Sequence, residues 1–386
     1  MLFSGVIYAW SILKVPMAEN FGWTPAQLAL NFTLTMCFYC VGLITNGLLE
    51  KRIGSKPTII IGAVLAFIGF MLTSRISGEK LWHLYFFYSA LGGTGIGMAY
   101  GCIISAVGAW FPDRKGTCTG VLMMAFGLST LILGNVAPRL FAVPGIGWRG
   151  TYVVYGIALG IALLIAGLII RRPGKDTVLP PVKVAAVDSN KFATVECTPG
   201  QMVRRPSFWL MFIGIPLIAA VGSTTISFAN DLSVSLGASV ELAALLVGML
   251  SVFNGLGRII SGKVFDMLGC KKGLVLATIV GIIATVVVII SVLTDALVLC
   301  AIGICLAGLS YGACPTAGAT ITAIFYGQKH FSQNFAILNI NLCTGSFIAT
   351  GANALMARSG GFIVPFAVLT LSAVIALALI GSIKKP

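Results

Sequence analysis

Residues Ser261–Gly273, SGKVFDMLGCKKG, and Asn46–Pro57, NGLLEKRIGSKP, decide how this chain is read. Each gathers glycines and basic residues into a short polar break between two long apolar runs. Gly22, Gly47, Gly54 and Lys56 stand 215 residues before Gly237, Gly262, Gly269 and Lys271. A constant offset across one run and both its flanking breaks is the mark of a duplicated unit.

Around these stretches the chain of 386 residues is 58% hydrophobic, has a mean hydropathy of +1.01 and carries 9% charged residues. Soluble domains carry roughly 25%. Runs able to cross a hydrocarbon layer of about 30 Å as helices recur along the whole length. The predicted spans are 2–18, 27–49, 57–74, 82–110, 117–138, 151–170, 208–230, 241–265, 273–293, 296–325, 333–357 and 362–383. The expected architecture is therefore an all-α membrane protein of twelve transmembrane helices. The first run is short and has neither a basic region before it nor a small-residue cleavage site after it. It reads as a clipped helix and not as a signal peptide.

The interval 171–206, rich in proline and basic residues, has six runs on each side. It predicts an N-terminal six-helix half at 1–170, a linker at 171–206 and a C-terminal half at 207–386. Of the 25 Lys and Arg, 18 fall in or at the edge of the breaks after even-numbered runs and at the C-terminus, while six fall in or at the edge of the opposite breaks. By the positive-inside rule the linker and the C-terminus face the cytoplasm of a multi-pass plasma (inner) membrane protein. The net charge of +14 then needs no nucleic-acid partner. The partner is the lipid bilayer, and the expected state is a monomer.

Ten cysteines, including the pair Cys37 and Cys40, lack the histidines or the second CxxC that would complete a metal site. They read as small apolar residues, and no metal or cofactor is expected. Gly257–Val264, GRIISGKV, resembles a phosphate-binding loop but lacks its final Ser or Thr and lies within an apolar run. In GGTGIGMAYG from Gly92, glycines 93, 97 and 101 share one helix face, which predicts close helix packing and not a dinucleotide site. His83 and His330 lie near opposite faces, and no Ser/His/Asp set can be assembled, so an enzyme is not expected.

Arg258 is the exception in the eighth run. A charge near the middle of a transmembrane helix costs about 2.5 to 3.5 kcal/mol on insertion scales, so its side chain is expected to face a watery cavity or an anion. All eleven acidic residues fall in breaks or near run ends, so no carboxylate of the chain is expected to neutralise it. A planar guanidinium is suited to hold a visiting carboxylate by paired hydrogen bonds. Asn254, four residues earlier, lies on the same helix face. Further candidates for contact with a bound solute are Tyr8, Ser11, Tyr100, Tyr311, Asn339 and Asn341, each of which could equally pack helices.

The two opening stretches resemble the loop signature of the major facilitator superfamily, G-x-x-x-D-R-x-G-R-R/K. The second copy keeps Gly262, Asp266, Gly269 and Lys271; the first keeps Gly47, Arg52 and Gly54, with Lys51 in the acidic place and Glu50 beside it. The resemblance implies the major facilitator fold and a conformational role for these residues, as a latch on one state of the carrier. FSGVIYAW at Phe3, MAYGCIISAVGAWFPDRKGTCTG from Met98, GWRG at Gly147 and NGLGR at Asn254 together look like the oxalate/formate antiporter family and the related monocarboxylate transporters. That resemblance implies a carrier of small carboxylates, with Arg258 as the binding cation and Asn254 and Tyr100 beside the substrate.

The oxalate carriers have a second cation, a lysine in their eleventh helix, where this chain has Leu342. One cation balances a monoanion such as lactate, pyruvate or formate; a dianion would leave a negative charge poorly solvated. Lys14, about a turn after the place where monocarboxylate transporters carry a lysine, is the remaining candidate for a second cation. The expected function is secondary transport of a monocarboxylate by alternating access, with proton symport or anion exchange, the two halves rocking about a midplane cavity. The alternatives are an oxalate/formate-type dicarboxylate antiporter and an exporter of another small molecule.

Overall fold

A computed structural model describes residues 1–78, 80–174, 177, 196–341, 344–345, 348, 351–352, 355 and 358–384. Among them ten helices are long and apolar enough to cross a membrane. They are α1 Pro25–Ile53, α2 Ser55–Thr73, α3 Leu81–Trp110, α4 Lys115–Phe141, α5 Gly147–Ile169, α6 Pro206–Ser235, α7 Val240–Leu268, α8 Cys270–Leu293, α9 Leu297–Tyr326 and, after the shorter α10 Phe331–Asn339, α11 Ile363–Gly381. The first run folds as a 3₁₀ segment, Phe3–Ala9, followed by two short α-helices, Trp10–Leu13 and Val15–Phe21. The eleventh run begins as α10, and residues 342, 343, 346, 347, 349, 350, 353, 354, 356 and 357 within it lie outside the described residues. So do Leu342, Cys343 and, in the linker, residues 178–195.

Most helices run a few residues past the predicted spans, because polar caps extend them into the breaks. Thr24 and Gln27 form a reciprocal capping box at the start of α1, with Pro25 at the first helical position, and Ser239 caps α7. Many hydroxyls inside the spans donate to carbonyls one turn back, as Thr35 does to Asn31 and Thr278 to Leu274. Large apolar residues such as Leu168, Ile169 and Val298 stay exposed, as lipid contact requires.

The duplicated glycines adopt matching backbone conformations. Gly54 joins α1 to α2 as a single residue at φ +84°, and Gly269 joins α7 to α8 at φ +84°. Gly22 and Gly237, one repeat apart, also have positive φ, at +67° and +84°. Only glycine takes this conformation without strain.

The chain divides into two compact units. The first comprises Met1–Pro112, Ala125–Pro180 and His330–Ile340; the second comprises Asp113–Met124, Pro181–Lys329 and Asn341–Pro386. In the first, α3 lies against α1 through the glycines that the spacing singled out. A Cβ on Gly97 would come within 2.2 Å of the Tyr39 carbonyl oxygen, one on Gly93 within 2.9 Å of that of Thr35, and one on Gly101 within 2.5 Å of Asn46 Nδ2. The stretch Tyr85–Gly93 of α3 is wound as a π-helix, and its Ser89 donates to the Asn31 main-chain and side-chain oxygens. Arg149, from the GWRG segment, donates to the carbonyls of Ser74 and Ile76 beyond the end of α2 and lies 4.5 Å from the Trp148 ring centroid. It closes the last turn of α2 as a cation should. In the second unit α9 packs on α6, α7 and α8 around a core that includes Phe228, Leu250, Val288, Ile304 and Phe366.

Candidate functional site

Arg258 sits on α7 with 5% of its surface exposed. Its main chain is clamped from two sides by glycine contacts. On one side Gly120 of α4 approaches so closely that a Cβ there would lie 2.3 Å from the Arg258 carbonyl oxygen. On the other, a Cβ on Gly312 of α9 would lie 2.3 Å from the Asn254 carbonyl oxygen and 2.8 Å from the Arg258 nitrogen. Ser261 and Thr316 also donate their hydroxyls to the Arg258 carbonyl. The backbone that carries the guanidinium is held between Gly120 of α4 on one side and α9 on the other.

The guanidinium itself differs from expectation in one respect. The sequence predicts a side chain without an internal partner, but Arg258 Nη1 donates to the main-chain carbonyl of Met123 on α4. The cause is the Gly120 crossing, which brings the next turn of α4 within reach. No carboxylate completes an ion pair: the two salt bridges among the described residues are Arg114 with Asp113 and Arg172 with Glu50. A neutral carbonyl leaves the positive charge uncompensated. Arg258 Nε is buried with no hydrogen-bond partner, and so is Asn254 Oδ1 one turn away on the same face. Unpaired buried polar atoms are uncommon in folded proteins and call for a reason.

The other candidates divide between the units. In the second, Tyr311 packs its ring against Gly222 of α6, where a Cβ would meet the tyrosine Cβ at 2.2 Å, and Asn341 is 5% exposed, its carbonyl accepting from the Thr344 hydroxyl. In the first, Tyr100 is 5% exposed among Tyr39, Phe126 and Phe335, with ring centroids at 5.3, 5.1 and 6.4 Å. Tyr8 meets Phe126 edge-on at 5.3 Å, and Asn339 is 8% exposed, its carbonyl accepting from Cys40 Sγ. Lys14 is half-buried at the junction between the second and third short helices. The side chain of Ser11 lies outside the described residues.

The loop residues form two different clusters. In the second unit Asp266 accepts from the backbone N–H of Gly116 at 2.9 Å, from that of Thr117 at 2.8 Å and from the Thr117 hydroxyl at 2.6 Å. It thereby caps the N-terminus of α4, where free N–H groups and the helix dipole favour an anion. Gly262 permits the approach, since a Cβ there would lie 2.3 Å from the Gly116 carbonyl oxygen. Lys271 is exposed. Asp266→Ala is expected to destabilise the protein by about 1 to 2 kcal/mol, the usual loss for a helix cap. The check is a lower melting temperature in detergent, with Lys271→Ala melting as the wild type does.

In the first unit, Lys51 occupies the acidic place and donates to Gln333 Oε1 at 2.9 Å; its Nζ lies 2.6 Å from His330 Nδ1. Glu50 does what its neighbour cannot. It accepts from Ser55 and Ser332 and pairs with Arg172 at 2.8 Å. Gly47 lies against Gln333, with 3.0 Å between a built Cβ and the Gln333 Cα, and Arg52 is exposed. Sequence reasoning did not single out Met123, Gly120, Gly312, Ser332 or Arg172. For the glycines a signal existed: Gly116 and Gly120, and Gly308 and Gly312, are each four residues apart.

The family model for the Major Facilitator Superfamily matches residues 1–350 and 218–384 of this chain. The oxalate:formate antiporter of Oxalobacter formigenes is 24% identical over 383 residues, which cover 98% of this chain and 87% of the relative. Monocarboxylate transporter 12 of Xenopus laevis is 25% identical over 279 residues, covering 68% of this chain and 59% of that protein. Among solved structures, the fucose:proton symporter of Escherichia coli superposes with a TM-score of 0.70 at 12% identity, over 98% of this chain and 97% of the symporter.

Proposed function

This chain belongs to the Major Facilitator Superfamily and is a multi-pass membrane transporter, and we propose that its cargo is a small monocarboxylate anion held by Arg258. One observation carries the reading. A guanidinium with 5% exposure, inside a transmembrane helix, has a carbonyl partner and an unpaired Nε but no ion-pair partner among the described residues. An arriving carboxylate supplies the missing charge and accepts the unused N–H. The names of the two relatives, one for oxalate and formate and one for monocarboxylates, support the same class of cargo.

Transport proceeds by alternating access, the site opening to one side of the membrane and then to the other. A loaded site carries less net charge than an empty one, so reorientation is easier with cargo aboard. That favours exchange or proton symport over a leak. The basic linker and C-terminus face the cytoplasm. Asp266 and the Glu50 cluster hold one state of the cycle.

The relative that covers 98% of the chain is named for a dianion as well as a monoanion, so the second reading is a dicarboxylate antiporter. Counterflow in liposomes reconstituted with the wild-type protein distinguishes these. Vesicles preloaded with an unlabelled acid are expected to accumulate labelled formate, acetate or lactate saturably. Accumulation of oxalate in preference to these moves the assignment to the second reading. Accumulation of none of the acids removes the carboxylate assignment altogether.

A further inference from the structure

We infer that Glu196, at the end of the linker, is a catch on the turn between α9 and α10, and that the catch opens each time the carrier changes state. The inference needs a carrier that cycles and no particular cargo. α9 ends at Tyr326 and α10 begins at Phe331, so residues 327–330 join the two helices. The chain passes from the second unit to the first inside this turn, between Lys329 and His330. A few loop residues at such a crossing are where a rotation can be absorbed. The junctions at Gly54 and Gly269 each lie within one unit and offer a single residue.

Glu196 holds the main chain of this turn. Its Oε1 accepts from the N–H of Gln328 at 3.2 Å, and its Oε2 accepts from the N–H of Lys329 at 2.9 Å. Cys197 donates its own N–H to the Tyr326 carbonyl at 3.0 Å. Beyond it Thr198 and Gln201 form a reciprocal capping box that starts a short helix, Pro199–Val203. Met202 of that helix is fully buried, Cys197 is 1% exposed, and the Ser207 hydroxyl lies 3.0 Å from that of Tyr326. Packing thus anchors the strap to the end of α9, while its hold on the two N–H groups of the turn comes from one carboxylate.

Gly327 gives that carboxylate its place. It stands at φ +83°, and a Cβ on it would come within 2.3 Å of Glu196 Oε2. Only glycine takes this conformation without strain and leaves the oxygen where it is. Hydrogen bonds to an ionised acceptor are stronger than neutral ones, so the turn is fixed where the chain would otherwise bend most freely. The alternative is a static clip that closes once, on folding, and never opens. Cys197 tells the two apart. A closed strap shields its thiol, and an opening strap exposes it for a fraction of the time set by the opening equilibrium.

The experiment is timed modification by N-ethylmaleimide of the protein in liposomes, read at Cys197 by mass spectrometry so that no other cysteine need be replaced. Glu196→Gln keeps the size of the side chain but loses the charge and turns a donor toward one of the N–H groups. Cys197 is expected to react about fivefold faster in this variant than in the wild type, the size of a lost hydrogen-bonded contact, with the melting temperature kept. Saturated counterflow is expected to run about twofold or more faster, because a bond present in one state and broken on the way out of it slows the exit. In the wild type, modification is expected to quicken while formate, lactate or oxalate is being exchanged. Equal reaction of Cys197 in Glu196→Gln and the wild type overturns the inference, and so does unchanged or slower counterflow in the variant. If the variant does not fold, the wild type decides: a Cys197 that reacts no faster during exchange than at rest overturns the catch. If none of the acids is exchanged, the carboxylate reading fails, and the reaction of Cys197 in the empty carrier still decides this one.

Discussion

Arg258→Leu is expected to lower carboxylate counterflow by about 100-fold or more, because removing one partner of a desolvated, hydrogen-bonded charge pair costs about 2 to 5 kcal/mol. Arg258→Lys is expected to recover little of it. An ammonium keeps the charge but cannot reproduce the planar fork that serves the Met123 carbonyl and a carboxylate together. The leucine variant is also expected to melt at or above the wild-type temperature, since it removes a buried charge that ion pairing does not offset. Loss of transport with stability kept would separate binding from folding. Wild-type rates in Arg258→Leu would remove the arginine from its assigned role.

The second large effect is expected at Gly312. A methyl there would lie 2.3 Å from the Asn254 carbonyl oxygen, 2.8 Å from the Arg258 nitrogen and 2.9 Å from the Gly257 carbonyl carbon. All three are backbone atoms of α7, so no side chain can swing aside and α9 must move as a body. Overpacking typically costs about 1 to 3 kcal/mol, and contact with unyielding backbone puts this case at the upper end. Gly312→Ala is therefore expected to lower the melting temperature markedly and to abolish transport. Gly318→Ala, on the same helix and with nothing within 4 Å of the added carbon, is expected to leave both unchanged. Equal behaviour of the two variants would contradict the packing of α7 against α9.

The helical architecture was legible because lipid admits so few solutions: a long apolar run must satisfy its backbone internally, and a helix does so. Arg258 was legible for the same reason, as a charge stands out in an apolar run. Its Met123 partner was not, because a main-chain carbonyl leaves no trace in the residue type. The winding of the first run was illegible too. Phe3–Ala9 is apolar enough to read as α-helix, yet it forms a 3₁₀ segment. The loop signature was partly legible. Asp266 caps a helix end, a role its residue type suits but the loop pattern alone does not specify. The first copy moves its carboxylate by one residue, which turns it by about 100° around the helix. Glu50 accordingly meets the side chains of Ser55, Ser332 and Arg172, where Asp266 meets main-chain N–H groups.

The single-residue junctions at Gly54 and Gly269 have a mechanical consequence. A single residue between two helices offers one pair of soft torsions, fewer than a loop of several residues would supply to absorb a rotation. α1 with α2, and α7 with α8, are therefore expected to tilt together, a displacement of one prong passing to the other across one residue. Three or four flexible residues inserted after Gly269 are expected to unlink the prong that carries Arg258 from its neighbour and, on the carboxylate proposal, to slow transport without weakening binding of the acid.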